Sequence, residues 1–512
     1  MKDMKLLLLS IFCLLMVSCA PEQQPQEKVS LSVSKTSLEF TDEGGEQTFE
    51  VTASETVYLV PGDKWLEAQK GTVEDNKMTV TVIVEKNILS EARQSRISVV
   101  AGDEKKYVEV SQAEAPVPPG DGGNDVPGSM ETPGNNGNAA WKVAEFIGIG
   151  WNLGNHFDAH SNGVSNETCW GNPKATQQTF NKVKAAGFKT VRVPVTWLGQ
   201  FGEAPEYKIK DEWLDRIAEV VGYAEKAGLN VILNMHHDGA DSKYWLNIAT
   251  AARNPEVHQH ILQQIEAMWG QIARKFADKG EFLMFEAFNE IHDGGWGWGS
   301  NKNDGGKQYA CMNEWNQKFV DAVRAAGGNN VDRLLGVPAY CTNVDIAIES
   351  FVMPVDVLPD RLMISVHSYD PYDYALAAKK SEWGHTADAS KKVAGDNEGD
   401  MQLLFEKIYK NYISKGIPMY LGEVGCVNRA TDREQQFQQY YLKYLAKLAK
   451  TYGVPLAIWD NGAKGAGEEC HAFIDHGTGE YCSTEAKNAI QAFVGSYNSN
   501  LKPSDVYRNA PK

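Results

Sequence analysis

The chain has 512 residues, of which 42% are hydrophobic and 13 are Trp, and its formal net charge is −17. This length exceeds one ordinary hydrophobic core and predicts two or more domains. The negative charge excludes the basic surface with which proteins neutralise nucleic-acid phosphates, so we expect an uncharged partner and no nucleic acid.

The amino terminus has the pattern of an export signal. Lys2 and Lys5 precede an apolar run over residues 6–17 that is too short to span a bilayer. The run ends Met16-Val17-Ser18-Cys19, which resembles a bacterial lipoprotein cleavage site and implies a signal over residues 1–19 with lipidation at Cys19. An ordinary secretory signal is the alternative. With the lipid, we expect attachment to the outer membrane facing the exterior, through that anchor only.

Residues 29–113 contain short runs in which polar and apolar residues alternate. This period of two predicts a small all-β, immunoglobulin-like sandwich. The segment resembles the BACON domain of surface glycosidases from gut Bacteroidetes, through GGEQTFEV, Asp63-Lys64-Trp65-Leu66 and the terminal VEVSQA. Trp65 is interpreted either as a carbohydrate-binding side chain or as core; we expect core, and a spacer role for the domain. The alternating runs are 31–34, 48–51, 78–84, 96–100 and 107–110.

Residues 114–138 are rich in Pro, Gly and Asn and predict a linker. The remainder, residues 141–507, alternates strand-like runs with amphipathic stretches such as 175–186, 211–227 and 255–277. The predicted fold class is therefore α/β, a (β/α)8 TIM barrel; a doubly wound sheet is disfavoured because no GxGxxG follows the first run. The eight predicted strands are 146–152, 190–197, 230–238, 282–290, 333–340, 362–369, 418–425 and 455–460.

Polar residues stand at the ends of most of these strands, and the carboxyl ends of barrel strands meet at one mouth. Glu290 and Glu423 each end an apolar run, where an ionised carboxylate is costly unless it is paired or used. Two such groups suit the hydrolysis of a glycosidic bond, which needs a proton donor and a carboxylate that attacks the sugar. The other strand-end residues are Arg192, His236, His237, Asn289, His367, Tyr369 and Trp459.

A family resemblance extends over residues 141–507. The strings that carry it are GIGWNLGN, ETCWGNP, AAGFKTVRVPVTW, VILNMHHD, FEAFNE, VHSYDPYDY, YLGEVG and AIWDNG. Together they resemble glycoside hydrolase family 5, a family of retaining (β/α)8 enzymes, and its endoglucanase and xyloglucanase branch. The chain departs from that branch at His156. The resemblance implies an endo-acting β-1,4-glucanase for soluble β-glucans (xyloglucan, mixed-linkage glucan, amorphous cellulose), expected to be a monomer without a cofactor.

The resemblance also implies roles for the strand-end residues. Glu290 would be the acid/base and Glu423 the nucleophile, with Arg192 and Tyr369 orienting and ionising Glu423. The resemblance places Asn289 at the sugar 2-hydroxyl, Trp459 below the subsite next to the cleavage point, and His236 and His367 in the hydrogen bonds of the site. His237 follows His236 in the sequence and is also expected to serve the cleft.

Simple electrostatics adds two expectations. Glu290 should stay protonated because it faces a second carboxylate, whereas an adjacent guanidinium favours the charged form of Glu423. Glu286 lies four residues before Glu290 on the same strand face and is predicted to form a buried ion pair, with Arg192 as the candidate partner.

The pair His236-His237, followed by Asp238, suggests a metal site. Because adjacent strand residues point to opposite faces, we expect no metal there. Cys470 and Cys482 are interpreted either as a disulfide or as two buried free thiols. Six tryptophans are assigned to loops or strand ends, about half of them to packing; Trp296 and Trp298, in GGWGWGSNKNDGG, are expected to stack on sugar rings. The other four are Trp170, Trp197, Trp245 and Trp383.

Three other functions stay open at this point. One is a glycan-binding surface lipoprotein without catalysis, which the presence of both glutamates argues against. Another is a metal-dependent barrel hydrolase, which does not require Glu423. The third is a β-mannan-directed hydrolase of the same fold.

Overall fold

The structure is a computed structural model that describes residues 29–63, 65–87, 92–114 and 133–512. The chain divides into two compact units, Met1–Val117 and Pro118–Lys512, and the division falls inside the predicted linker. The predicted signal with Cys19, and residues 115–132 of the predicted linker, lie outside the described residues. Within the described ranges, none of the helices combines the length and apolar character needed to cross a membrane.

The first unit contains two four-stranded sheets. All strand pairs are antiparallel except Ser37–Phe40 with Glu104–Gln112. Four of the five predicted runs lie wholly within strands, and the first run, 31–34, extends one residue past the strand Leu31–Val33. The sequence misses Ser37–Phe40, Val57–Pro61 and Leu66–Glu74; the last is exposed along most of its length and so shows no alternation. The sheet orders are Leu31–Val33, Gly45–Ala53, Lys77–Val84, Leu66–Glu74 and Ser37–Phe40, Glu104–Gln112, Arg93–Ala101, Val57–Pro61.

Apolar side chains from both sheets form one core in this unit. Val80 and Val82 from one sheet and Ile97 from the other are fully buried, at alternate positions of their strands. Trp65 is only partly buried at the margin of this core, and the Arg93 guanidinium lies 4.4 Å from the centroid of its ring. A side chain of its own domain therefore lies over the Trp65 ring.

The second unit contains a closed barrel of eight parallel strands, which confirms the predicted fold class. The first strand pairs with both the second and the eighth and so closes the barrel. From first to eighth, the strands are Ile149–Asn152, Thr190–Val193, Asn230–Asn234, Leu283–Glu286, Leu335–Pro338, Leu362–Ser368, Met419–Val424 and Leu456–Ile458. A small hairpin, His160–Ser161 with Val164–Ser165, follows the first strand.

The helices of this unit begin and end at residues that suit helix termini. The helix Asp432–Tyr452 starts after Thr431, whose side chain accepts a hydrogen bond from the Glu434 N–H, and ends at Gly453 in a left-handed conformation (φ 70°). The helices are Ala139–Ile147, Gln177–Ala185, Asp211–Ala227, Ile248–Ala251, Pro255–Lys275, Lys307–Ala325, Val344–Ser350, Tyr372–Ala375, Glu398–Asn411, Asp432–Tyr452, Thr484–Asn498 and Pro503–Arg508.

The two glutamates reach the barrel mouth from different kinds of backbone. The sequence predicts that the fourth strand runs to Glu290, but it ends at Glu286, since its pairing with the fifth strand stops at Gly336. Glu290 therefore lies in a loop. Glu423 lies inside the seventh strand, Met419–Val424.

Candidate active site

The guanidinium of Arg192 is the centre of the site. Arg192 lies in the second strand and is fully buried. Its Nε donates a hydrogen bond to Glu286 Oε2 (2.7 Å), and its Nη1 donates to Glu423 Oε1 (2.8 Å). Nη1 also donates to Asn152 Oδ1 (3.0 Å), and Nη2 donates to Asn289 Oδ1 (2.8 Å). One cation thus holds two carboxylates and two amides.

Glu286 forms the buried ion pair with Arg192 that the sequence predicts. Burial alone would raise the pKa of Glu286, but the charge and hydrogen bond of Arg192 lower it below its ordinary value. Asn234 Nδ2 donates to Oε2 (3.1 Å), and the Ser365 hydroxyl donates to Oε1. Glu286 is therefore an ionised structural group below the site.

Glu423 accepts hydrogen bonds on both oxygens. Arg192 donates to Oε1, and the Tyr369 hydroxyl donates to Oε2 (3.0 Å). The sequence predicts that the guanidinium favours the charged carboxylate, and it does lower the pKa. Burial acts in the opposite direction and is the larger effect, so the pKa of Glu423 is raised. The two donors fix the orientation of the carboxylate.

Glu290 has a different environment. Its side chain is 21% exposed, and its Oε1 lies 2.8 Å from His367 Nδ1. Burial, more than a neighbouring charge, raises the pKa of Glu290 to about 7; the charge of Glu286 adds to the rise, and His292 and Arg192 oppose it. Burial also lowers the pKa of His367 to about 4. Glu290 therefore keeps a transferable proton near neutrality.

The two carboxyl groups are close together. One carboxylate oxygen of Glu290, one ring nitrogen of His367 and one carboxylate oxygen of Glu423 all lie within 4.8 Å of one another. The pairing register between the sixth and seventh strands shifts at Val366/His367 and places His367 opposite Glu423. Such bulges redirect side chains at the rims of barrels.

His236 and His237 do not point to opposite faces, and that expectation is wrong. The third strand ends at Asn234, and the backbone turns at His236 (φ −101°, ψ −83°), so the two ring centroids are 4.5 Å apart. One ring nitrogen of each of these histidines and one carboxylate oxygen of Asp158 all lie within 4.8 Å of one another. His236 also lies parallel to Trp459 at 5.8 Å, with its Nε2 3.9 Å from Glu423 Oε1.

The tryptophans fall into two groups. Trp197 and Trp383 are buried, whereas Trp296 and Trp298 are 55% and 86% exposed. Trp296 has a positive φ of 48°, which is rare for a bulky side chain and is found at ligand sites. The loop that contains Trp296 is held by Asp293, whose carboxylate accepts hydrogen bonds from the Gly295 and Asn301 N–H groups and the Ser300 hydroxyl. Of the other two, Trp170 is 43% exposed, and Trp245 is partly buried and donates to Asp238.

Residues 155–465, more than half of the chain, match the family cellulase (glycosyl hydrolase family 5). The chain belongs to glycoside hydrolase family 5. It is 31% identical over 87% of its length to a xyloglucan-specific endo-β-1,4-glucanase of Bacteroides ovatus, covering 89% of that protein. It is 37% identical over 64% of its length to endoglucanase A of Paenibacillus barcinonensis, covering 83% of it. A solved GH5-4 broad-specificity endoglucanase from Bacteroides salanitronis has 52% identity and a TM-score of 0.69, covering 72% of this chain and 98% of that one.

This family 5 chain is an enzyme, a glycoside hydrolase. Several residues that support its site were not selected from the sequence, including Asn152, Asn234 and Ser365. Gly154 is another, because a Cβ at that position would lie 2.7 Å from the Trp459 ring.

His156 is fully buried with its Nε2 2.9 Å from Pro173 O, so it is not exposed in the cleft. Cys470 and Cys482 are free thiols and form no disulfide, but both are only partly buried and not buried as the alternative supposed.

Proposed function

We propose that this enzyme is an endo-acting, retaining β-1,4-glucanase that hydrolyses soluble plant-wall β-glucans by double displacement. Glu290 is the acid/base and Glu423 the nucleophile. The observation that supports this proposal most directly is the short distance between the two carboxyl groups: one oxygen of Glu290 and one oxygen of Glu423 lie within 4.8 Å of each other. Retaining glycosidases hold their carboxyl groups roughly 5 to 5.5 Å apart, whereas inverting enzymes need about 6.5 to 9.5 Å for a water.

The first step transfers the sugar to the enzyme. A Glu423 oxygen attacks the anomeric carbon, the glycosidic C–O bond breaks, and Glu290 gives its proton to the departing oxygen. In the second step Glu290 takes a proton from water, the water oxygen attacks the anomeric carbon, and the ester bond to Glu423 breaks. Glu290 is suited to both steps because formation of the neutral ester removes the negative charge of Glu423 and lowers the pKa of Glu290.

Other side chains would position the sugar. Asn289 Oδ1 accepts from Arg192, which leaves its Nδ2 as a donor for the sugar 2-hydroxyl. Trp459 would lie below the sugar next to the cleavage point, with His236, His237 and His367 around it. The exposed rings of Trp296 and Trp298 would stack on sugars farther along the chain.

Azide rescue tests the mechanism and the assignment of roles. Azide added to Glu290→Ala should restore turnover and yield a β-glycosyl azide, because it replaces water on the glycosyl-enzyme. Azide added to Glu423→Ala should yield the α-anomer, because it attacks the substrate directly. Exchanged products would reverse the two roles, and an α-configured first product from the wild-type enzyme would exclude retention.

The relatives and the exposed tryptophans of the loop support a proposal for the substrate class. The proteins named above are described as xyloglucan-specific and as broad in specificity. We therefore propose activity on xyloglucan, mixed-linkage glucan and amorphous cellulose. Product mapping on these polymers and on a β-mannan tests the proposal. Faster hydrolysis of the mannan would contradict it.

We also propose that the protein is a monomeric lipoprotein of the outer membrane, with residues 1–19 as its signal, Cys19 lipidated and the BACON-like sandwich as a spacer. The support is the sequence pattern Met16-Val17-Ser18-Cys19. Wild-type protein should fractionate with outer membranes and be cleaved by protease added to intact cells. Cys19→Ser should release it from the membrane; unchanged membrane attachment of this variant would exclude the anchor.

A further inference from the structure

The amide of Asn234 has only one orientation that satisfies its neighbours. Asn234 ends the third strand, is fully buried and lies opposite Glu286 in the strand register. Its Oδ1 accepts a hydrogen bond from the Val195 N–H (3.1 Å), and its Nδ2 donates to Glu286 Oε2 (3.1 Å). The reversed amide would place an oxygen against the carboxylate and an N–H against an N–H.

The second hydrogen of this Nδ2 determines the tautomer of His236. His236 Nδ1 lies 3.2 Å from Asn234 Nδ2, so it must accept. The ring is neutral near pH 7, because burial keeps the pKa of His236 well below its ordinary value. A neutral imidazole that accepts at Nδ1 carries its proton on Nε2.

We propose that Asn234 is a positioning residue for the reaction, because it fixes His236 as the Nε2–H donor beside the nucleophile. The distance from His236 Nε2 to Glu423 Oε1 is 3.9 Å, too long for a direct hydrogen bond. A substrate hydroxyl that sits beside both atoms accepts from Nε2–H. This step rests on the proposed glucanase function; the tautomer itself does not.

The same tautomer bears on the cluster of Asp158, His236 and His237. A divalent metal needs a lone pair on each ligand nitrogen. At His236, Nε2 carries a hydrogen and the lone pair of Nδ1 accepts the hydrogen bond from Asn234, so neither nitrogen offers a free lone pair. Moving that proton to Nδ1 would bring it against the Nδ2–H of Asn234, only 3.2 Å away. The hydrogen-bond network therefore favours a sugar-binding imidazole over a metal ligand.

Two variants of Asn234 test the proposal. An Asp at this position would lie against the ionised carboxylate of Glu286, so the two groups share one proton and none is left to donate to His236. Asn234→Asp should therefore move the His236 proton to Nδ1 and leave a lone pair facing Glu423. Asn234→Leu removes the donor without imposing the opposite tautomer. Asn316 provides matched controls, since it is also fully buried, and its Nδ2 donates to Pro338 O (2.9 Å) on the backbone.

The first measurement needs no catalysis. Two-bond ¹H–¹⁵N spectra of the full chain labelled at histidine should show His236 as Nε2–H in the wild type, with the signal assigned by its loss in His236→Gln. In Asn234→Asp the pattern should become Nδ1–H. A wild-type Nδ1–H pattern overturns the proposal, whether or not the protein hydrolyses glucans.

The second measurement is kinetic. On xyloglucan, kcat of Asn234→Asp should fall by about 10²-fold, the size of effect found when one preorganised donor is removed. The loss in Asn234→Leu should be smaller, KM should change less than twofold in both, and Asn316→Asp and Asn316→Leu should keep kcat within about twofold. Equal losses at both positions, or wild-type kcat in Asn234→Asp, contradict the proposal. An inactive wild type would instead refute the proposed function.

Discussion

The barrel mouth and the sandwich core bury polar side chains in opposite ways. In the described part of the sandwich the buried polar side chains are Asn87 and Gln112. The Gln112 amide donates to the backbone oxygens of Thr41, Asp42 and Glu85 and so helps to satisfy main-chain acceptors. At the mouth, Glu423 is buried and Glu290 is partly buried, and the side chains that hydrogen-bond to these two carboxyl groups are themselves ionisable.

This difference distinguishes buried polar groups that stabilise the fold from buried polar groups that take part in the reaction. Burying a charge costs free energy unless hydrogen bonds and an opposite charge compensate. Glu286, which Arg192 compensates, has a lowered pKa. Glu290 lies four residues later without a hydrogen bond from that cation, and its pKa is raised to about 7. The mouth therefore keeps one carboxyl group uncompensated, an arrangement with no counterpart in the described sandwich residues.

Removing either catalytic carboxyl group should have the largest effect. Glu423→Gln and Glu290→Gln should each lower kcat on xyloglucan by 10³-fold or more, because one loses the nucleophile and the other the transferable proton. Steady-state assays of purified protein measure this, with circular dichroism to show that both variants fold. An exposed loop glutamate, Glu206, provides the control, and Glu206→Gln should keep wild-type kcat.

A variant that retains more than about one tenth of wild-type kcat would show that its carboxyl group is not a catalytic residue. The mouth would then resemble the sandwich, with buried polar groups that serve only the fold.

The pH dependence should show the next largest effect. Glu290 must be protonated to act as the acid, and its pKa is about 7. The value of kcat/KM should therefore fall about tenfold per unit as pH rises above that value. An aryl cellobioside with a dinitrophenolate leaving group needs no proton in the first step, so its profile should lack this limb. A limb that starts above pH 9 would contradict the raised pKa of Glu290.

The stability of the folded protein should also depend on the protonation of Glu290. The folded-state pKa of Glu290 is raised from 4.5 to about 7. Its contribution to stability is therefore present below pH 4.5 and is lost as pH rises through 7, by up to roughly 3 kcal/mol. Glu290→Gln should melt above the wild type at pH 8 and close to it at pH 4, measured by calorimetry. Glu206→Gln should not show this difference, and a lower melting point for Glu290→Gln at pH 8 would contradict the prediction.

Much of the barrel and part of its active site can be predicted from the sequence. All eight barrel strands lie within the predicted ranges, because fully buried parallel strands form continuous apolar runs. The pairing of Arg192 with Glu286 is also predicted, since a carboxylate deep in a barrel needs an opposite charge to compensate its burial.

The remaining features depend on contacts between distant residues. The fourth strand ends at Glu286 because the fifth strand stops pairing there, which no pattern within residues 282–290 records. The approach of His236 and His237 depends on a turn after Asn234, and the period of two fails at that turn. The pKa of Glu423 is raised by burial that only the folded structure determines.

The exposed loop should contribute a smaller effect. Trp298→Ala should raise KM for xyloglucan about three- to tenfold, corresponding to roughly 0.5–1.5 kcal/mol of stacking. The kcat on a short aryl cellobioside should not change. Leu403→Ala, at an exposed position of the outer helix Glu398–Asn411, is the matched control. An unchanged KM on polymer would remove Trp298 from the substrate contacts.

The sandwich should contribute least, and Trp65→Ala tests this. The Arg93 guanidinium lies 4.4 Å from the centroid of the Trp65 ring, so a sugar would have to displace a side chain of the same domain to use that face. We expect kcat and KM on soluble xyloglucan to remain within about twofold of wild type, because no strand end of the barrel belongs to this unit. Migration in gels that contain xyloglucan should also be equal for Glu290→Gln with and without Trp65→Ala. Since the inactive barrel still binds glucan in both proteins, any difference in retardation reports Trp65 alone. Faster migration of the double variant would show that the sandwich binds glucan and is more than a spacer.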